Sequence, residues 1–314
     1  MNEIQKVIFK CRVGSHLYGL STENSDEDFI SVFLPKPEYI IGLKRVEVLN
    51  FAKEQNGNHK DRIDDQMWSL EKFIRLLLKS TPNAIEILFA SKNNILIEEK
   101  EFSELKRNYD KIVSKSIVNS FGGYATAQSR MLRTKRDRYV SLLKAFDFIE
   151  SLEPDSRLSE YNASKLNSIV KYYKGFKGNT NNFHKGMEVS MIKENIEREI
   201  KSYGKRIKGI DFSLPKERQY DAKFAYHSLR LLIEAKQLLK NGRIDFPFSG
   251  KDRELLIKIR NQEIDLSDIF KLYEVYFKEV NEMSDKSKLI SKPDFHFLNS
   301  YLIKVNKRII CETS

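Results

Sequence analysis

Gly14-Ser15-His16-Leu17-Tyr18-Gly19-Leu20-Ser21-Thr22-Glu23-Asn24-Ser25-Asp26-Glu27-Asp28-Phe29-Ile30-Ser31-Val32-Phe33 decides how this chain is read. It opens on a glycine that lets the backbone approach a ligand closely. Ser15 is placed to cap a short helix and to offer its hydroxyl to a phosphate. A polar loop leads into Asp26 to Leu34, whose β-branched and aromatic end predicts a strand. On a strand, residues i and i+2 share a face, so Asp26 and Asp28 present two carboxylates side by side. Such carboxylates repel unless a cation sits between them. Hard oxygen donors beside a phosphate-gripping turn suit Mg²⁺ (or Mn²⁺), and the set fits two-metal phosphoryl transfer. Asp-x-Asp or Gly-Ser alone is commonly a solvated turn; the two together, with a short spacer and a strand, are far more specific.

Gly14-Ser15, Tyr18-Gly19-Leu20 and Ser25-Asp26-x-Asp28 together resemble the nucleotidyltransferases of the DNA polymerase β superfamily. Within it they resemble predicted bacterial and phage members, some linked to RNA repair. The resemblance implies that Gly14 and Ser15 grip a nucleoside triphosphate, with Tyr18 and Ser25 in the same nucleotide-binding motif. It implies that Asp26 and Asp28 hold the metals. The family usually supplies a third carboxylate from a neighbouring strand, as general base on the acceptor hydroxyl. Arg62-Ile63-Asp64-Asp65-Gln66-Met67-Trp68 is the candidate strand, antiparallel to an earlier strand at Val46 to Phe51. Asp64 and Asp65 point to opposite faces, so at most one reaches the metals. The family spacing back from Ser69-Leu70-Glu71-Lys72-Phe73 favours Asp64. Glu47 is a weaker rival.

The fold expected is α+β: a small mixed β-sheet nucleotidyltransferase core with helices over residues 1–110, then a mainly α-helical domain over 111–314. Val7 to Cys11 is a short strand or helix end entering the glycine turn. Tyr39-Ile40-Ile41-Gly42-Leu43 reads as a packed connection, and Glu54 to Lys60 as a hairpin loop. Leu70 to Lys79 has the apolar spacing of a helix with a wide buried face. Pro82 opens another helix, in which Glu86 reads as structural.

The 314 residues, 40% of them hydrophobic, suffice for two domains and a sizeable core. The formal charge of +11 favours polyanionic partners, nucleic acid before anionic membrane. Cys11 and Cys311 form no zinc spacing or disulfide framework. Neither a signal peptide nor a run of transmembrane length is read, so a cytoplasmic protein is expected. Oligomeric state is not legible.

Basic residues cluster. Arg130, Arg133, Lys135, Arg136 and Arg138 follow a helical pattern from Lys111 to Leu132, where the family places a helix near the triphosphate or acceptor. Residues 165–208 hold eleven Lys and Arg against four Glu, interleaved with Tyr172, Tyr173, Phe176, Phe183 and Tyr203. Basic residues track phosphates and aromatics stack on bases; an ordinary helical pair with inward aromatics is the equal alternative. Lys223, His227, Arg230 and Glu234 form one helical stripe. Lys-x-x-x-His-x-x-Arg-Leu-Leu resembles the helix after the catalytic domain in the same nucleotidyltransferases, which implies that Lys223, His227 and Arg230 contact the nucleotide. His227 orients a neighbour in that reading, and Glu234 pairs with Arg230. The reaction expected is metal-dependent transfer of a nucleoside monophosphate to an acceptor hydroxyl, with RNA (a tRNA or an RNA 3′ end) as acceptor. Transfer to a protein or small molecule, and a decayed RNA-binding protein, are the alternatives.

Overall fold

The run from Phe29 to Leu34 is buried on both faces, as a central strand requires. In the computed structural model, which describes residues 3–23, 25–54, 62–161, 188–206, 210–211 and 213–313, it lies in the middle of a five-stranded sheet. The strands are β1 (Ile4–Arg12), β2 (Glu27–Pro35), β3 (Val48–Glu54), β4 (Arg62–Ser69) and β5 (Ile95–Glu98), in the order β3-β4-β2-β1-β5. β1 pairs antiparallel with β2 and β5, and β3 with β4, whereas β2 and β4 run parallel. The sheet is therefore mixed, and with the helices the fold is α+β. Val7 to Cys11 lies inside a longer strand, and β4 is antiparallel to β3 as expected. The expected hairpin loop at 54–60 falls almost wholly outside the described residues.

Short helices flank the sheet: α1 (Ser15–Tyr18), α2 (Pro37–Ile40), α3 (Leu70–Leu78), α4 (Pro82–Leu88) and α5 (Lys100–Arg107). Ser69 caps α3, its hydroxyl accepting from the Lys72 amide at 3.3 Å, and Leu70, Phe73, Ile74 and Leu77 form the buried face. In the segment from 39 to 43, expected as a packed connection, Tyr39 and Ile40 are half-buried whereas Ile41 and Leu43 are exposed. Arg45 Nη1 donates to the carbonyls of Gly42 (2.6 Å) and Lys44 (3.1 Å), and this tie turns the loop outward with Leu43 fully exposed.

Longer helices follow: α6 (Ile117–Glu150), α7 (Val189–Arg206), α8 (Ala222–Asn241), α9 (Gly250–Arg260), α10 (Leu266–Lys286) and α11 (Phe295–Thr313). α6 runs unbroken through Gly122-Gly123. The Phe277 ring lies 3.2 Å from where a Cβ on Gly122 would stand, so close packing explains the first glycine. Among the described residues, no helix is long and apolar enough to cross a membrane.

Two compact units result. The first comprises Met1–Thr126, His227–Lys258 and Lys271–Ser314; the second comprises Ala127–Tyr226 and Ile259–Phe270. Residue 110, the expected boundary, falls inside the first unit, which takes back the chain from His227. Leu229, Leu232, Ala235 and Leu238 of α8 are buried, which gives that return its driving force. The second unit has its own apolar cluster of Leu142, Ala145, Ile149, Val189, Ile192 and Ile196.

Replacing Ser69 by Ala is expected to cost about 1 kcal/mol of stability through the lost cap, checked by urea unfolding at unchanged m-value.

Candidate active site

Gly14 has φ 65° and ψ −142°, a conformation open to glycine alone among common residues. It occupies the cap position of α1, so Ser15 is the first helical residue and not the cap. The turn closes through the Tyr18 amide to the Gly14 carbonyl (3.2 Å) and the Leu20 amide to the Ser15 carbonyl (2.9 Å). A Cβ added at Gly14 would stand 3.5 Å from Asp28 Oδ2, so the Asp28 carboxylate lies directly against this turn. The Val13 amide donates to the Asp28 carbonyl at 2.9 Å and fixes that strand end beside it.

Asp28 on β2 is in register with Asp64 on the parallel strand β4. Registered residues of neighbouring strands share a face at a strand spacing of about 4.8 Å. Asp65 turns to the other face. There it accepts from Lys10 Nζ at 2.6 Å and from Ser31 Oγ at 2.9 Å, and Lys10 also lies 4.8 Å from the centre of the Phe29 ring. Glu47 lies outside β3 and pairs with Lys72 at 2.7 Å. Asp26 is exposed and precedes β2 by one residue, so the strand alternation that would align it with Asp28 begins after it. Ser25 Oγ accepts from the Thr22 amide at 2.9 Å and holds the polar loop.

Asp28 and Asp64 form a hard-oxygen donor pair of the kind that suits a divalent cation such as Mg²⁺. Among the described residues, no three His, Cys, Asp or Glu side chains are gathered closely enough to hold a metal. The pair fits a metal, with the exposed Asp26 standing outside it as placed.

Tyr18 and Arg230, expected at the nucleotide, are instead enclosed in the core. Tyr18 Oη donates to Glu86 Oε2 at 2.7 Å; Arg230 Nη1 donates to Glu86 Oε1 at 2.8 Å and to Glu234 Oε1 at 2.6 Å. The guanidinium lies 4.2 Å from the centre of the Tyr18 ring. Arg230 is 4% exposed, Glu86 2% and Glu234 0%, so no triphosphate reaches them as folded. Burial pushes the Tyr18 hydroxyl well up, and Glu234 likewise, with the Glu86 carboxylate adding to the effect on Glu234. Burial works against the Arg230 charge, but Glu234 and Glu86 hold it protonated.

Downstream residues brace the same turn. The Phe248 amide donates to the Tyr18 carbonyl at 3.1 Å, and Arg253 Nε to the Gly19 carbonyl at 3.2 Å. Gly19 has φ 71°, and Pro247 Cβ lies only 2.6 Å from where its Cβ would stand. Of the remaining expected residues, His227 is half-buried in the first unit, while Lys223 is exposed and belongs to the second. Arg130 is exposed on α6, also in the second unit. The side chains of Arg133 and Arg136, and the aromatics Tyr172, Tyr173, Phe176, Phe183 and Tyr203, lie outside the described residues.

A family model described as the RNA repair pathway DNA polymerase beta family matches residues 2–211. An uncharacterized 38.9 kDa protein in the nrdC-mobD intergenic region of Enterobacteria phage T4 is 28% identical over 141 residues, 44% of this chain and 42% of that protein. The chain thus matches less than half the length of that curated relative. The crystal structure of a nucleotidyltransferase-like protein from Exiguobacterium sibiricum 255-15 shares 11% identity over 88% of this chain and 69% of its own, at a TM-score of 0.26, too slight a likeness to argue from.

Arg230→Met is expected to cost about 3–5 kcal/mol, because it strands buried carboxylate charge. Glu234→Gln tests the upward shift at Glu234. A folded-state pKa above the ordinary 4.5 means stability falls as pH rises from that value toward the folded one. The Gln variant is expected to flatten that decline, measured as unfolding midpoints between about pH 5 and about pH 8.

Proposed function

Because this chain belongs to the RNA repair pathway DNA polymerase beta family, we propose that it is a metal-dependent nucleotidyltransferase that adds a nucleoside monophosphate to an RNA hydroxyl. The observation that carries this reading is the register of Asp28 with Asp64 on parallel strands, against the glycine turn. Gly14 and Ser15 hold the β- and γ-phosphates, the turn's positive φ letting the backbone come close. Asp28 and Asp64, joined by Asp26 from the exposed loop end, hold Mg²⁺ or Mn²⁺. When bound, the metal neutralises phosphate charge and orients the reacting oxygens.

Asp64 accepts the proton of the acceptor hydroxyl as that oxygen bonds to the α-phosphorus; the bond to the β-phosphate oxygen breaks, and pyrophosphate leaves. Asp65 serves β4 from the opposite face through Lys10 and Ser31. Tyr18 and Arg230 act as positioning residues, fixing α1 against α4 and α8 without touching substrate. The acceptor class is supported by the +11 charge and by the family's RNA repair description.

The test is transfer of label from each α-labelled nucleoside triphosphate, with Mg²⁺, to a total RNA pool. Label on RNA that falls about a hundredfold or more in Asp28→Ala and in Asp64→Ala is the expected result. Asp65→Asn is expected to lower stability and leave turnover far less affected. Label on protein or on a small molecule alone would replace the RNA acceptor; no transfer to any acceptor would overturn the enzyme.

A further inference from the structure

Away from Asp28 and Asp64, the first unit carries an open cleft of about 1060 Å³ between the ends of α8 and α10. Among the described residues, four lysines line it, Lys236, Lys240, Lys286 and Lys288, with Asp110 the one acidic wall residue. Lys236 is paired with Glu279 and lies 4.2 Å from the centre of the Tyr276 ring. Lys240, Lys286 and Lys288 are exposed. Like charges brought together on one rim repel, and concave walls strengthen their field.

The ordinary explanation for lysines at helix ends is the negative end of the dipole. Here two of the last four carbonyls of α8 are already engaged without a lysine. The Gly242 amide donates to the Leu238 carbonyl at 2.8 Å, and Ser287 Oγ to the Leu239 carbonyl at 2.8 Å. The Ser287 bond also clips the end of α10 onto the end of α8, which holds Lys286 and Lys288 across from Lys240. The floor is apolar and aromatic: Tyr109 and Leu289 close in at 3.8 and 3.9 Å from where a Cβ on Gly242 would stand. A basic rim over an apolar floor suits a nucleotide chain better than an isolated inorganic ion. The volume lies at the top of the small-ligand range, room for more than one nucleotide.

We infer that this cleft binds the phosphate backbone of single-stranded RNA, as the holding site for the acceptor strand. The inference rests on the transferase reading for the word acceptor, but the RNA contact stands on the cleft alone. α8 runs from the buried cluster that braces the glycine turn to the wall of the cleft. Arg230 is fixed to Glu86, and Lys240 lies ten residues further along, about 15 Å down the axis.

The experiment compares two triple variants of equal charge change. One is Lys240→Gln, Lys286→Gln, Lys288→Gln. The other places Gln at Lys44, Lys92 and Lys100, which are exposed in the same unit but away from the cleft wall. Binding of a fluorescein-labelled short single-stranded RNA is followed by anisotropy across a salt series, and a fluorescent nucleoside triphosphate reports the other site. The cleft variant is expected to bind RNA at least about tenfold more weakly, with a salt slope shallower by about 2, at about 0.7 per lost phosphate contact. Its triphosphate affinity should be unchanged, and the control variant should keep most RNA affinity. Equal weakening in both variants, or none in the cleft variant, overturns the inference. Wild-type protein that transfers nucleotide yet binds no RNA also overturns it, while leaving the transferase. RNA binding lost only in the cleft variant, with no transfer to any acceptor, upholds the cleft and removes the transferase.

Discussion

One guanidinium organises this protein. Arg230 reaches across the first unit to Glu86, shares a single nitrogen between two buried carboxylates, and covers the Tyr18 ring. Each of these groups would be costly to bury alone. Together they tie the glycine turn to α4 and α8. Phe248 and Arg253 hold the next two carbonyls of the same turn, so its position is set from residues more than two hundred positions away. A backbone that must present Gly14 against Asp28 gains its rigidity from this set.

The sheet solves a second problem, the handling of adjacent acids. Asp64 and Asp65 are neighbours in sequence and opposites in space. Lys10 and Ser31 donate to Asp65 on one face, with the Phe29 ring against the Lys10 ammonium, which leaves Asp64 level with Asp28 on the other. A slip of one residue in β4 would exchange the two and put Asp65 beside Asp28. The Lys10–Asp65 pair, with its carboxylate only 11% exposed, makes that slip costly.

Much of the sheet was legible because its signals are local. The run from Phe29 to Leu34 carries a strand in its own composition, and the spacing from Leu70 to Leu77 a helix. Alternation alone says that only one of Asp64 and Asp65 faces Asp28; which one depends on pairing between strands far apart in sequence. The stripe of Lys223, His227, Arg230 and Glu234 resembled a nucleotide-gripping face, because spacing records which residues share a side of a helix and not what covers it. A signal for the buried set was nevertheless present. Glu86 sits among Ala84, Ile85, Ile87 and Leu88, and Glu234 among Leu231, Leu232, Ile233 and Ala235, all buried. A carboxylate inside so apolar a helix needs a cation, and Arg230 stands four residues before Glu234. The outward tip at Leu43 had no such signal, since it follows from Arg45 folding back onto nearby carbonyls.

The span between Glu86 and Arg230 also sets an order of events at the ribosome. The two are 144 residues apart. At about 5–20 residues per second, roughly 7–29 s pass between the emergence of one and the other. Through that interval β1 to β5 can pair, yet Glu86 and Tyr18 have no cation to close over, and the glycine turn lacks its outer brace. The matched family region ends at residue 211, before Arg230 appears. A nascent chain carrying all of that region therefore still lacks both the cation that Glu86 meets in the finished core and the second acid, Glu234. The strand-bearing half waits on the chain that follows it, and the last braces of the turn, Phe248 and Arg253, come only after α8 has been made.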